Sequence, residues 1–151
     1  MDWAIGAVHV IRATAVDPVR RYSERWFMYV EDLDLCWRLA QSGWRRRLEV
    51  DISIPHVGHA AAAQAWGGDQ TIRWIPASYD WYAEVHGAPA MRRWAVVNSL
   101  GVAAQMGTST ILGMIGRRSA RSRARQLARQ LPLHARVVIG RPRVPTSPPL
   151  R

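Results

Sequence analysis

The chain has 151 residues, 48% of them hydrophobic and 21% charged, and carries a net charge of +10 at pH 7. That apolar content can pack a core in one domain or in part of a larger one, which excludes disorder throughout. A single cysteine, Cys36, excludes an internal disulfide and a cysteine-paired metal site, and makes a reducing compartment the default. In chain order, the start MDWAIGAVHV lacks a basic lead and a long apolar run, so no secretory signal is expected. Residues 4–12, AIGAVHVIR, form an apolar run with β-branched members and predict a buried strand. A turn-like connection with Pro18 and a basic pair follows. From Glu31 to Gln41, Leu33, Cys36, Trp37 and Ala40 recur at helical spacing, with Leu35 and Leu39 beside them, and Gly43 is placed to end a helix over 31–42. Residues 45–53, RRRLEVDIS, alternate at Leu48, Val50 and Ile52 and predict a strand that stops at Pro55. Strand, helix, strand is an α/β pattern.

The second half changes character. Residues 60–70 are small-residue loop material, and SYDWYAEV and MRRWAVV read as amphipathic helices separated by HGAPA. Ala95 to Gly116 contain no charge, a length that could span a bilayer. Asn98, Ser99, Gln105, Thr108, Ser109 and Thr110 interrupt the stretch, however, and favour an interfacial or re-entrant seat. Mainly helical structure is expected from about 69 to 131. The basicity is not spread evenly: residues 1–116 hold eleven Arg and eleven acids, while residues 117–151 hold ten Arg and no acid. Clustered Arg beside an apolar stretch favours an anionic membrane surface. The tail has no aromatic side chain on which bases could stack, so no specific nucleic acid is expected. All the basic residues are Arg, which reflects genomic composition as much as a demand for bidentate anion binding. The last stretch, GRPRVPTSPPLR, is Pro-rich and expected to be disordered.

The segment MYVEDLDLCWRLAQSGWR (28–45) places Glu31, Asp32 and Asp34 in the first turn of the helix, where unpaired N–H groups and the helix dipole favour negative charge. Capping alone accounts for one such acid, not three. A carboxylate held there serves as a general base if a substrate hydroxyl comes within reach. His56, after a proline at a strand end, reads by itself as a hydrogen-bonded surface histidine, and Trp3, Trp37 and Trp44 as core residues.

Taken together, WAIGA (3–7), RWFMYVEDLDLCWRLAQSGWR (25–45) and IPHVGHA (54–60) resemble, in order and spacing, the acceptor-side half of family 2 glycosyltransferases of the rhamnosyltransferase-like type. The resemblance covers roughly residues 1–116 and is strongest over 26–60. Composition and charge set apart a helical extension with a membrane-associated apolar helix over 69–116 and an Arg- and Pro-rich tail over 117–151; the resemblance implies a partial GT-A (Rossmann-like) α/β half over 1–68. It also implies an inverting transfer in which Asp32 takes the proton of an acceptor hydroxyl as that oxygen attacks the anomeric carbon of a nucleotide-diphosphate sugar. Glu31 and Asp34 would bind the acceptor sugar, with Trp3 and Gly6 in the wall of its pocket. His56 would help hold a divalent metal, Mg or Mn, on the diphosphate.

Two departures from the family pattern stand out. VRRYSER replaces the loop element before the aromatic lead-in, leaving only Glu24 of it, and His59 falls where the family has a small residue. The donor-binding half has no counterpart before Met1, so the chain reads as a truncated fragment, a product of an internal start, or a half that works with another polypeptide. The partners implied are a nucleotide-sugar donor, a glycan or glycolipid acceptor of the cell envelope, an anionic membrane surface and, in the last case, a separate chain supplying the donor half. The implied location is the cytoplasmic side of the cell membrane, peripherally bound. The reading from another class is a non-catalytic basic module that binds anionic membrane or nucleic acid through its Arg-rich tail.

Overall fold

A computed structural model describes residues 6–19, 21–26, 29–56 and 71–140. They form five helices: α1 (Ala13–Val19), α2 (Glu31–Gln41), α3 (Thr71–His86), α4 (Ala88–Met114) and α5 (Arg118–Ile139). The chain divides into two compact units, with the break between Gln70 and Thr71.

In the first unit, α1 packs on α2 through Ala15, Leu35 and Leu39, flanked by Ile11 and Trp44. Trp37, expected in the core, is half-buried. α2 ends as the sequence predicts. Gly43 adopts φ +83°, its N–H donates to the Ala40 carbonyl, and the Trp44 N–H donates to the Leu39 carbonyl. This is a Schellman closure, and the Trp44 ring folds back onto the Leu39 cluster as such closures favour. A Cβ at Gly43 meets nothing within 4 Å, so Gly43→Ala should cost only the left-handed backbone penalty. Thermal unfolding of that variant should show a loss of about 1 kcal/mol.

The expected α/β class is overturned, and with it the GT-A (Rossmann-like) half. Among the described residues there is no strand and no sheet; the structure is helical. Residues 6–12 run as a turn and irregular backbone, with Val10 99% exposed. Residues 44–56 run as irregular backbone with a turn at Val50 and Asp51, and leave Leu48, Val50, Ile52 and Ile54 exposed. Alternation marks a chain suited to a half-buried pleated face, but a strand exists only through its ladder. Among the described residues neither segment forms a ladder with another, so the alternation is not used in a sheet.

The second unit is built from α3, α4 and α5. Its core comprises Ile75, Tyr79, Met91, Ala95 and Val137, with Tyr82, Trp94 and Leu133 packed against them. Gly87 (φ +84°) separates α3 from α4 within the HGAPA break, and the Met91 N–H donates to its carbonyl. The segment read as two pieces, MRRWAVV and the uncharged stretch, is one 27-residue helix. It stops at Gly116 (φ +97°), where a second Schellman pair of bonds to Gly113 and Leu112 turns the chain into α5. At its buried centre the Tyr79 hydroxyl and His134 Nδ1 are 2.8 Å apart.

Candidate active site

The site lies in the first unit and is organised by the start of α2. Tyr29 and Val30 both have positive φ, +68° and +81°, and Val30 is the N-cap residue. That double left-handed turn drops the chain into the helix so that Glu31, Asp32 and Asp34 fall in its first turn. The three acids then have three different surroundings.

Asp32 is buried and anchored to backbone at both oxygens: Oδ2 accepts from the Gly6 N–H at 2.8 Å, and Oδ1 from the Leu33 N–H at 2.7 Å. The first of these joins segments 26 residues apart. The absence of a side chain at Gly6 permits it, because a Cβ there would stand 3.1 Å from Asp32 Cβ. Asp34, also buried, pairs with Arg38 one turn on, Nε to Oδ2 at 2.8 Å. Arg38 in turn donates to the Arg21 carbonyl at 2.7 Å, tying the preceding loop to α2.

Glu31 faces a cavity of about 430 Å³ lined by Gly6, Tyr22, Ser23, Glu24, Trp26 and Glu31 itself. Two of these lining residues carry buried polar atoms that make no hydrogen bond among the described residues: the Trp26 indole Nε1, a donor, and Glu31 Oε2, an acceptor. Burial pushes the Glu31 carboxyl above the usual carboxylate range, and the neighbouring Asp32 charge adds to the rise against an opposing hydrogen bond from its own backbone. The Tyr22 phenol is raised by burial and then by Asp32 and Glu31; its oxygen also lies 3.1 Å from His9 Nδ1. The Arg25 guanidinium stands 5.2 Å from the centre of the Trp26 ring.

The structure thus brings Gly6, Glu31 and Asp32 together and sends Asp34 to a different task, bracing the loop. Trp3 and His59 lie outside the described residues. His56 is exposed at the end of residues 44–56. Among the described residues there is no group of three or more His, Cys, Asp or Glu able to hold an ion. Trp26 and Tyr22 are the site residues that motif spacing did not single out. The aromatic-rich lead-in before the acids is the signal that carries Trp26; Tyr22 lies in the VRRYSER stretch ahead of it.

Over 44 residues the chain is 41% identical to the N-acetylglucosaminyl-diphospho-decaprenol L-rhamnosyltransferase of Mycobacterium tuberculosis, in each of two strains. The matched stretch is 29% of this chain and 14% of the relative's length. No protein-family model and no solved structure matches the chain. The relationship to glycosyltransferases is therefore local and partial.

Proposed function

We propose that the α2 unit is the acceptor-binding and proton-accepting part of an inverting glycosyltransferase. The observation that carries this reading is the pair of unbonded buried atoms on Trp26 and Glu31, a donor and an acceptor on residues lining one cavity. A sugar hydroxyl accepts from the one and donates to the other. The two adjacent carboxylates divide the remaining work. Burial raises the Glu31 carboxyl while its unbonded Oε2 stands as an acceptor, and Asp32 is an oriented acceptor fixed against the Gly6 wall.

In this reading the acceptor oxygen attacks the anomeric carbon and its proton passes to Asp32. The bond from that carbon to the diphosphate oxygen breaks, and the diphosphate leaves with the electron pair. The local similarity to the mycobacterial enzyme supports an N-acetylglucosamine hydroxyl on a polyprenyl diphosphate as acceptor and rhamnose as the transferred sugar. A peripheral position on the cytoplasmic side of the membrane fits an acceptor with a lipid tail.

Calorimetric titration of the chain with a water-soluble N-acetylglucosaminyl diphosphate tests the acceptor assignment. Trp26→Phe removes the indole N–H and keeps an aromatic ring, and should weaken binding by about tenfold. Equal affinity of the two proteins, or no binding by the parent chain, would remove the cavity from the acceptor site.

A further inference from the structure

The 27-residue α4 has two contrasting faces. Met91, Ala95, Val102, Ser109 and Gly113 are buried, spaced so that they share one side of the helix. The opposite side carries Val96, Val97, Leu100, Ile111 and Met114, all exposed, with Leu100 at 66% and Met114 at 77%. No charge occurs from Trp94 to Gly116, and the helical part of this stretch, which ends at Met114, spans roughly 31 Å of axis. Exposed arginine pairs stand at the two ends of this stretch, Arg92 and Arg93 before it and Arg117 and Arg118 after it.

The polar residues within the stretch are largely satisfied by the helix itself. The Thr108 hydroxyl donates to the Ala104 carbonyl at 3.0 Å and the Thr110 hydroxyl to Met106 at 2.8 Å. Ser99 and Asn98 donate to Ala95 and Trp94 in the same way. These groups therefore need no water, and moving the face into a less polar medium leaves few bonds unmade. None of the helices among the described residues is long and apolar enough to cross a membrane.

Charge decides what covers this face. A second copy laid along α4 in either direction would bring arginine pairs against arginine pairs at both ends, and from Val85 to the end of the chain there is no acid to neutralise them. Nucleic acid offers phosphates to the arginines but nothing to the apolar row between them. An anionic lipid surface complements both: acyl chains for the row, headgroup phosphates for its ends. We infer that α4 lies in the plane of an anionic membrane, apolar face down, with Arg92, Arg93, Arg117 and Arg118 in the headgroup layer.

Helical spacing puts Arg125, Arg129 and Arg136 on the side of α5 opposite its buried Leu127, His134 and Val137. They stand away from α4 by more than the helix spacing of about 8–10 Å, beyond a Debye length of about 8 Å at physiological salt. They add little to the lipid contact.

Flotation of the full chain with phosphatidylcholine vesicles, pure or with about a third phosphatidylglycerol, tests this at physiological salt. The parent chain should float with the anionic vesicles and not with the neutral ones. Leu100→Glu/Ile111→Glu should lower the bound fraction by about tenfold or more, with helix content unchanged by circular dichroism. Leu100→Lys/Ile111→Lys adds positive charge, so the same loss there reads apolar contact and not electrostatics. Arg125→Gln/Arg129→Gln/Arg136→Gln should stay within about threefold of the parent.

Two results would overturn the inference. In one, the arginine triple variant loses binding while both double variants keep it, which is adsorption of a polycation to any polyanion. In the other, the parent ignores anionic vesicles and sediments as a dimer that the double variants dissolve, which makes the face a subunit interface. Vesicle binding is read without turnover, so its outcome is independent of the transferase reading.

Discussion

Asp32→Asn should lower sugar transfer by about 10²- to 10⁴-fold, the range expected for losing a positioned general base. The measurement belongs in a polypeptide that carries this segment together with a nucleotide-sugar site. Asparagine retains one oxygen for the Gly6 N–H, so the link across 26 residues survives while the second acceptor is lost. The melt should therefore move by no more than about 1 kcal/mol, which separates lost chemistry from lost folding. Glu31→Gln should behave differently. It keeps an amide oxygen as acceptor and removes no group in the proton transfer, so its turnover should fall far less than that of Asp32→Asn. Asp34→Asn is the third arm: it weakens the Arg38 brace and should register in stability more than in rate. If Glu31→Gln is the silencing change while Asp32→Asn turns over normally, the proton goes to Glu31 and Asp32 serves only to hold Gly6. If all three are silent, the acids are a helix start and no more.

The second large effect belongs to the other unit. Tyr79→Ala should destabilise it by about 3–5 kcal/mol from the vacated volume, with a further ~1–3 kcal/mol because His134 is left buried without its partner. Tyr79 is 1% exposed, its ring centre lies 4.6 Å from that of Trp94, and its hydroxyl meets His134 at 2.8 Å. Tyr79→Phe keeps the ring and should show only the smaller loss. Urea unfolding of the full chain followed by near-ultraviolet circular dichroism distinguishes the two.

The same pair sets a pH window. Burial pushes His134 below its ordinary value of 6.5, so the unfolded chain takes up a proton first as pH falls. Stability should therefore be full at neutral pH and decline from about 6.5 down to the lowered folded value. On the alkaline side burial pushes Tyr79 up to about 12, the unfolded phenol ionises first, and stability should fall from about 10 upward toward that value. His134→Gln should abolish the acid limb alone. An acid limb that persists in that variant would locate the titration elsewhere.

The parts that were legible in the sequence are those that short-range chemistry decides. Three acids ahead of Leu35, Cys36 and Leu39, followed by a glycine, specify a helix with both ends marked, and α2 runs Glu31–Gln41 with Gly43 closing it. HGAPA likewise breaks α3 from α4. What depended on distant partners was not legible. The alternation at Leu48, Val50 and Ile52 describes a face without saying whether a neighbouring strand exists to receive it. Tyr79 and His134 are 55 residues apart, and nothing local to either announces the other. At the site, the resemblance pointed to Gly6, Glu31 and Asp32, which lie together in the structure, but it could not tell that Asp34 would turn to Arg38, or that Trp26 would face the cavity beside Glu31.

Val30 carries one more consequence. A β-branched residue at φ +81° is held against its own preference at a cost of order 1–3 kcal/mol, and Tyr29 before it adds to the strain. Glycine at that position would relax the turn and raise the stability of the unit, yet it would also free the hinge that aims Glu31 and Asp32. The first unit, whose core among the described residues centres on Ala15, Leu35 and Leu39, gives up stability at the point where its acids are aimed. Random drift toward a more robust chain would erode this turn early, so its persistence in descendants of this sequence is a measure of whether the site is under selection at all.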